Sequence, residues 1–298
     1  MVNSNNVNRI STYDEYARKM LDYENHIKFM IGKPGETIPL NVMIVSGDKG
    51  VGKTYAAREI LSKHSDIRPY EILSSALSPV QFYKFLWDHN DAIIVLDDVN
   101  SILMDNKDGA SLLKACTDTY PIRELHWEKQ NYNCISVSKW NLVDNKAIAR
   151  KMDEIASTNK KLEMAHAARK TFPDKFYFTG AIIILTNKPL SIIDRITDGA
   201  VSNRGWHLEM LFTVDGAVDL LKHSTEKMTS FMGRSIKPDS IQAVLTFLTS
   251  DTAVKFYRNT GKIPTLRTFG KIAREYDDVG SINLDEETLW NYTESPAY

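Results

Sequence analysis

Residues 47–54 read Gly-Asp-Lys-Gly-Val-Gly-Lys-Thr, and no other stretch of the chain restricts its fold so tightly. Three glycines within six residues let a backbone wrap closely and aim its N–H groups inward, which is useful only between two ordered elements. The flanks are such elements. PLNVMIVSG, before the loop, is a short greasy run of the kind that strands buried on both faces show. VGKTYAAREILSKH, after it, carries apolar residues at helical spacing. Strand, glycine loop and helix in that order commit the segment to an α/β unit whose further strands run parallel.

The spacing G-x-x-x-x-G-K-[ST] in this context is that of a phosphate loop. Gly47, Asp48, Lys49, Gly50, Val51, Gly52, Lys53, Thr54 and Tyr55 are therefore expected to hold the phosphates of a nucleotide. The start of the following helix offers unpaired N–H groups to an anion. Lys53 would neutralise β- and γ-phosphate charge, and the Thr54 hydroxyl would ligate Mg2+.

The rest of the chain continues the alternation. Residues 11–31 form an amphipathic helix behind a Ser/Thr cap; PYEILS is a strand, SPVQFYKFLWDHN a helix, AIIVLD a strand and GASLLKACTDT a helix. Two further strands, PIRELHWEK and KFYFTG, bracket a polar, helix-prone segment, so we expect a hairpin carrying a helical excursion over about residues 121–178. AIIILTN supplies another buried strand, and from Asp215 onward only helices are expected. The expected organisation is an N-terminal helical segment over 1–36, an α/β nucleotide-binding domain over 37–214 and a small helical lid over 215–298.

AIIVLD ends in two adjacent carboxylates, Asp97 and Asp98. Charges at the mouth of a buried strand are costly unless a cation or a proton-transfer task holds them there. With a phosphate loop upstream, Asp97 is assigned to the Mg2+ shell and Asp98 to the attacking water.

Composition excludes several classes. A formal charge of −1 leaves no global nucleic-acid footprint, and two cysteines without metal spacing provide neither a disulfide scaffold nor a zinc site. No apolar run approaches the roughly 18 residues of a membrane span, and the first residues lack a signal-peptide core. A cytoplasmic protein is expected, in the host cytoplasm if phage-encoded. Asn187-Lys188-Pro189-Leu190 resembles the guanine-reading N-K-x-D, but Leu190 cannot accept hydrogen bonds from the base.

GDKGVGKT and IIVLDD are similar to the Walker A and Walker B motifs of the AAA+ ATPases, and later residues extend the resemblance over about residues 40–275. It implies a P-loop AAA+ parallel sheet flanked by helices, with the inserted hairpin and helical excursion and the C-terminal helical lid. Asn187 matches the sensor 1 residue that helps to place the water. Arg204, in SNRGWHLEMLF, matches the arginine finger that enters a neighbouring subunit's site, with Arg195 as the alternative; Arg267, in PTLRTF, matches sensor 2. The second acid is Asp98 where most of the family has Glu, which withdraws the carboxylate by about 1.5 Å. Superfamily 3 helicases resemble the chain in their acid pair, Asn-ended strand and preceding β-hairpin. A family of phage-encoded AAA+ ATPases looks closer still, with an Arg and a Trp on the first hairpin strand and F-x-F-x-G entering the Asn strand.

The resemblance implies a ring or helical homo-oligomer, expected to be a hexamer, with its hairpin facing the substrate. Between the hairpin strands stand Lys139, Lys146, Arg150, Lys151, Lys160, Lys161, Arg169 and Lys170, with Trp127, Tyr132 and Trp140 among or near them. Cations for a backbone and aromatics for bases suit a sequence-tolerant grip on single-stranded DNA; the same charges also suit a solvated helix face. The expected function is ATP-driven movement of a macromolecule, with DNA first, as a phage or viral replication helicase or helicase-loading motor with single-stranded DNA or a replication protein as partner. A protein remodeller and a slowly hydrolysing ATP-dependent scaffold are the alternatives.

Overall fold

The computed structural model of the chain describes residues 9–33, 36–75, 77–98, 107–127, 145–167, 173–225, 228–231, 233–279 and 283–293. In chain order the elements are α1 (Tyr13–Ile31), β1 (Val42–Gly47), α2 (Lys53–Ser62), β2 (Tyr70–Leu73), α3 (Pro79–Asp88), β3 (Ile93–Asp97), α4 (Lys107–Cys116) and β4 (Arg123–His126). Then follow α5 (Asn145–Ala167), β5 (Lys175–Phe178), β6 (Ala181–Thr186), α6 (Leu190–Thr197), a 3-10 turn (Ser202–Arg204) and β7 (Trp206–Met210). The chain continues through α7 (Val214–Thr225), β8 (Ser230–Phe231), β9 (Arg234–Ser235), α8 (Pro238–Leu248), α9 (Asp251–Thr260), α10 (Leu266–Val279) and α11 (Glu286–Tyr292).

Five strands form one sheet in the order β2-β3-β6-β1-β7. The pairs β2–β3 and β3–β6 are parallel, with Asp97 opposite Leu185 at the end of the register. All six residues of β1 and of β6 are buried, which is why these strands read as unbroken greasy runs. This is the α/β arrangement expected of the chain. β7 is a strand not expected from the sequence, although Leu208 and Met210 are buried at a period of two.

Local chemistry sets the helix ends. Thr12 Oγ1 accepts from the Glu15 N–H at 3.3 Å, as a cap at the head of α1 should. Ser78 and Gln81 form a reciprocal capping box at the start of α3, with Pro79 in the first turn. Phe82, Tyr83, Leu86 and Trp87 then turn inward from α3.

Two compact units divide the chain. One comprises the described residues of Met1–Tyr23, Ser46–Lys53 and Glu209–Tyr298, and the other Glu24–Val45 and Thr54–Leu208. The second unit has its own core of β1, β3 and β6 side chains with α3, α4 and the hairpin. The first has a separate core built on α7–α11, with Leu221, Val244, Leu248, Phe269 and Ile272 at its centre. The N-terminal segment joins the first unit because Ile10 donates to the Leu211 carbonyl and accepts from the Thr213 N–H, while the Tyr13 N–H donates to the Asp219 carboxylate. Helices are not the whole of residues 215–298: β8 and β9 form a small antiparallel hairpin, turning at Gly233 with φ +77°.

β4 and β5 pair antiparallel, from Arg123 opposite Phe178 to His126 opposite Lys175, and α5 lies in the connection between them. The F-x-F-x-G motif has a packing reason here. A Cβ on Gly180 would stand 2.1 Å from the Ala92 carbonyl oxygen, so only glycine fits. Arg123, completely buried, donates to the Gly180 and Tyr120 carbonyls and lies over the Phe178 ring at 4.9 Å. Burial pulls its pKa down to about 10. Trp127 is 4% exposed and packs on Tyr83 with ring centroids 5.6 Å apart. Its expected place among base-stacking residues is therefore corrected: a ring enclosed in the core has no free face for a base. Among the described residues no helix is long and apolar enough to cross a membrane.

Candidate functional site

The candidate residues fall into two sets, one in each compact unit, that adjoin in sequence at Lys53 and Thr54. The first is the phosphate loop. Gly47, Gly50 and Gly52 have φ of +140°, +68° and +96°. At Gly47 the need is absolute, because a Cβ would fall 2.2 Å from the Met210 carbonyl oxygen. Lys53 is buried, and its Nζ donates to the Gly47 and Asp48 carbonyls at 2.8 and 2.7 Å, so the ammonium is folded over the loop.

Asp48 also ties the loop to the strand that follows in the sheet. Its N–H donates to the Met210 carbonyl at 2.9 Å and its carboxylate accepts from the Phe212 N–H at 2.7 Å. Through these two bonds Asp48 fastens the loop to the end of β7. Lys49 and Tyr55 project outward, Tyr55 with 74% of its surface exposed.

α1 and α10 also meet this loop. Tyr16 donates its hydroxyl to the Val51 carbonyl at 3.0 Å and Tyr23 to the Lys53 carbonyl at 3.2 Å. Thr265 heads α10, its hydroxyl accepting from the Thr268 N–H at 3.0 Å. A Cβ on Gly50 would lie 2.9 Å from the Thr265 hydroxyl and 3.2 Å from the Cβ of Arg267, whose side chain is exposed. The structure thus brings Arg267 alongside Gly50. Sequence reasoning missed Tyr16 and Tyr23 as loop contacts: their spacing signalled only a buried helix face, and nothing in a sequence says where a hydroxyl ends.

The second set begins at Thr54. Its hydroxyl donates to the Asp97 carboxylate at 3.0 Å. Asp98 sits one residue beyond β3 with φ +53°, its N–H still bonded to the Leu185 carbonyl at 3.1 Å. Asn187 Nδ2 donates to both carboxylate oxygens of Asp98, at 3.0 and 2.9 Å. The left-handed backbone supplies a reason for the short acid. Aspartate tolerates this region better than other side-chain-bearing residues, glutamate included, because its short polar group bonds locally.

Arg204 is held within its own chain. Its guanidinium donates to the Lys114 carbonyl at 2.7 Å and lies 3.8 Å from the Asp118 carboxylate. Lys114 in turn pairs with Asp198 at 2.6 Å. Arg195 is exposed in the last turn of α6.

Donor chemistry suits Mg2+. A hydroxyl and a carboxylate within one hydrogen bond of each other are the oxygen ligands this ion takes, with waters and substrate phosphates completing its octahedron. Among the described residues no group of three or more His, Cys, Asp or Glu side chains could hold a metal ion.

The basic excursion falls mostly outside the described side chains. Lys139, Trp140, Tyr132, Arg169 and Lys170 lie outside the described residues, as do the side chains of Lys146, Arg150 and Lys151. Of the α5 side chains described, Lys160 and Lys161 are exposed beside exposed Asp153, Glu154 and Glu163. Asn159 anchors the helix instead, donating to the Tyr177 carbonyl and to Asn90 at 3.0 Å each.

No family model matches the chain. A protein of Enterobacteria phage T4, described as an uncharacterized 36.7 kDa protein in the nrdC-mobD intergenic region, is 25% identical over 190 residues. The match covers 62% of this chain and 46% of that protein, so the chain spans about half the length of the curated relative it matches. Among solved structures the chain is similar to a mutant of Thermotoga maritima RuvB, at 12% identity over 95% of this chain and 71% of that one, with a TM-score of 0.38. It is also similar to katanin, in a structure on its self-assembly, at 15% identity over 92% of this chain and 77% of that one, with a TM-score of 0.32.

Proposed function

We propose that the chain is an AAA+ ATPase of the phage type, binding Mg-ATP and hydrolysing it between subunits of a homo-oligomer to move DNA. One observation carries the reading: the folded-over Lys53 ends a positive-φ glycine loop, and the next residue, Thr54, is bonded to the acid that closes β3. The likeness to a phage T4 protein supports the phage assignment.

In this reading the loop N–H groups and Lys53 bind the β- and γ-phosphates. Thr54 and Asp97 would hold Mg2+, which when bound would screen the phosphate charge. Asp98 orients the attacking water, and Asn187, bonded to both its oxygens, fixes the direction of that carboxylate. Arg267, beside Gly50, connects residues 215–298, taken as the lid, to the bound phosphates. Arg204 enters a neighbour's site only by giving up Lys114 and Asp118, whereas Arg195 is already exposed. The trans-acting role is assigned to Arg204, with Arg195 as the alternative.

The test is calorimetric titration with Mg-ATP together with phosphate release at saturating ATP, with and without single-stranded DNA. We expect micromolar uptake lost in Lys53→Ala, and turnover raised by DNA. A wild-type protein that takes up no ATP sinks the whole reading; DNA that neither binds nor stimulates sinks its substrate half. A second reading, the slowly hydrolysing scaffold, is favoured by the short acid clamped at both oxygens by Asn187. Tight ATP binding with phosphate release no faster than in Asp98→Ala would select it.

A further inference from the structure

α1 carries two tyrosines seven residues apart, two turns along one face, and both end on the phosphate loop. The Tyr16 hydroxyl lies against Gly52 as well as on the Val51 carbonyl: a Cβ added at Gly52 would stand 3.4 Å from it. The Tyr16 ring is 5.7 Å from that of Phe212, whose N–H donates to Asp48 at the other end of the loop. One aromatic pair therefore spans the loop from Asp48 to Val51. α1 is itself seated, since Tyr13 stacks on His223 with ring centroids 4.5 Å apart and its N–H is bonded to Asp219.

A peptide unit is planar and trans, so its carbonyl and its N–H point to opposite sides. Holding the Val51 oxygen toward α1 turns the Gly52 N–H away from α1. Gly52, at φ +96°, has no side chain to resist a flip of that unit. At the head of a helix that receives an anion, the direction of each N–H sets how well the anion is held.

We infer that Tyr16 is a positioning residue for phosphate binding: its hydroxyl locks the Val51–Gly52 peptide so that the Gly52 N–H faces the phosphates. Tyr23 acts alike on the Lys53–Thr54 peptide. This rests on the ATP reading of the loop and adds a residue to it from outside the motif.

The experiment titrates Mg-ATP and inorganic tripolyphosphate into wild type, Tyr16→Phe and Tyr23→Phe, with Tm measured alongside. Tyr16→Phe keeps the ring and removes one hydrogen bond. Its Kd is expected to rise about fivefold to tenfold for both ligands. A purely structural hydroxyl would lower Tm and leave the Kd of the folded protein unchanged, and that result overturns the proposal. So does a loss confined to ATP, which would put the effect at the base. If Tyr16→Phe does not fold, Tyr23→Phe carries the same comparison, and an unchanged Kd there overturns the proposal too. Wild type that binds neither ligand overturns the ATP reading itself, whereas wild-type binding matched by the variants removes only the tyrosines' role.

Discussion

The phosphate loop and the end of β3 both place backbone in the left-handed region, and they do it with opposite residues. The loop uses glycine at 47, 50 and 52; the strand end uses Asp98. Glycine stands where another atom crowds the space a Cβ would fill: the Met210 carbonyl at Gly47, the Thr265 hydroxyl at Gly50. Asp98 stands where the side chain itself is wanted, clamped to Asn187. A residue with a Cβ in this conformation costs roughly 1–2 kcal/mol, least for Asp and Asn. The loop thus avoids strain for the sake of close approach, and the strand end accepts it to present a carboxylate.

The largest effect expected from this contrast is at Gly47. Gly47→Ala drives a methyl into the Met210 carbonyl and should destabilise by more than about 4 kcal/mol, seen as a lowered denaturation midpoint. A loss under about 1 kcal/mol would mean that the loop and β7 are not in such close contact. Next, Asn187→Ala releases Asp98 and should cut turnover about a hundredfold while leaving the Kd for ATP unchanged; equal loss of binding and turnover would break the division of labour between loop and strand end. Asp98→Glu sharpens the comparison from the other side. Glutamate is less tolerated at φ +53°, so we expect about 1 kcal/mol lower stability and no gain in phosphate release. Faster hydrolysis in that variant would show that reach, not backbone geometry, sets the choice of acid.

The remaining effect is confined to alkaline pH. Desolvation by burial raises the Tyr16 pKa to about 12, above its ordinary value of 10. A raised pKa means that the folded state holds the proton more tightly than the unfolded one. The resulting stability is complete below pH 10 and is lost as pH climbs from 10 towards 12. Tm measured between pH 8 and 11.5 should fall more steeply in wild type than in Tyr16→Phe; parallel curves would show that the hydroxyl is no more enclosed than that of a free tyrosine.

Much of this was legible in residues 47–54 and in the greasy strands. GDKGVGKT between a strand and a helix, IIVLDD and AIIILTN marked the loop, the acids and Asn187, because buried parallel strands must be apolar throughout and a polar residue at their ends stands out. β7 was overlooked because WHLEM is short and mixes charge with bulk, although its alternation was there. Trp127 misled for the opposite reason: an aromatic near cations looks like a base-stacking residue until its neighbours, Tyr83 and the hairpin core, are known.

What the sequence determined alone was therefore local: element types, the glycine loop and the residue types at each strand end, all set by burial and backbone preference within a few residues. Partnerships between distant segments were decided only in the folded chain. Asp48 with Phe212, Tyr16 with Val51 and Gly50 beside Arg267 join residues from 35 to 217 positions apart. A hydroxyl or carboxylate has many possible partners of equal chemistry, and only the packing of whole helices against the loop selects one.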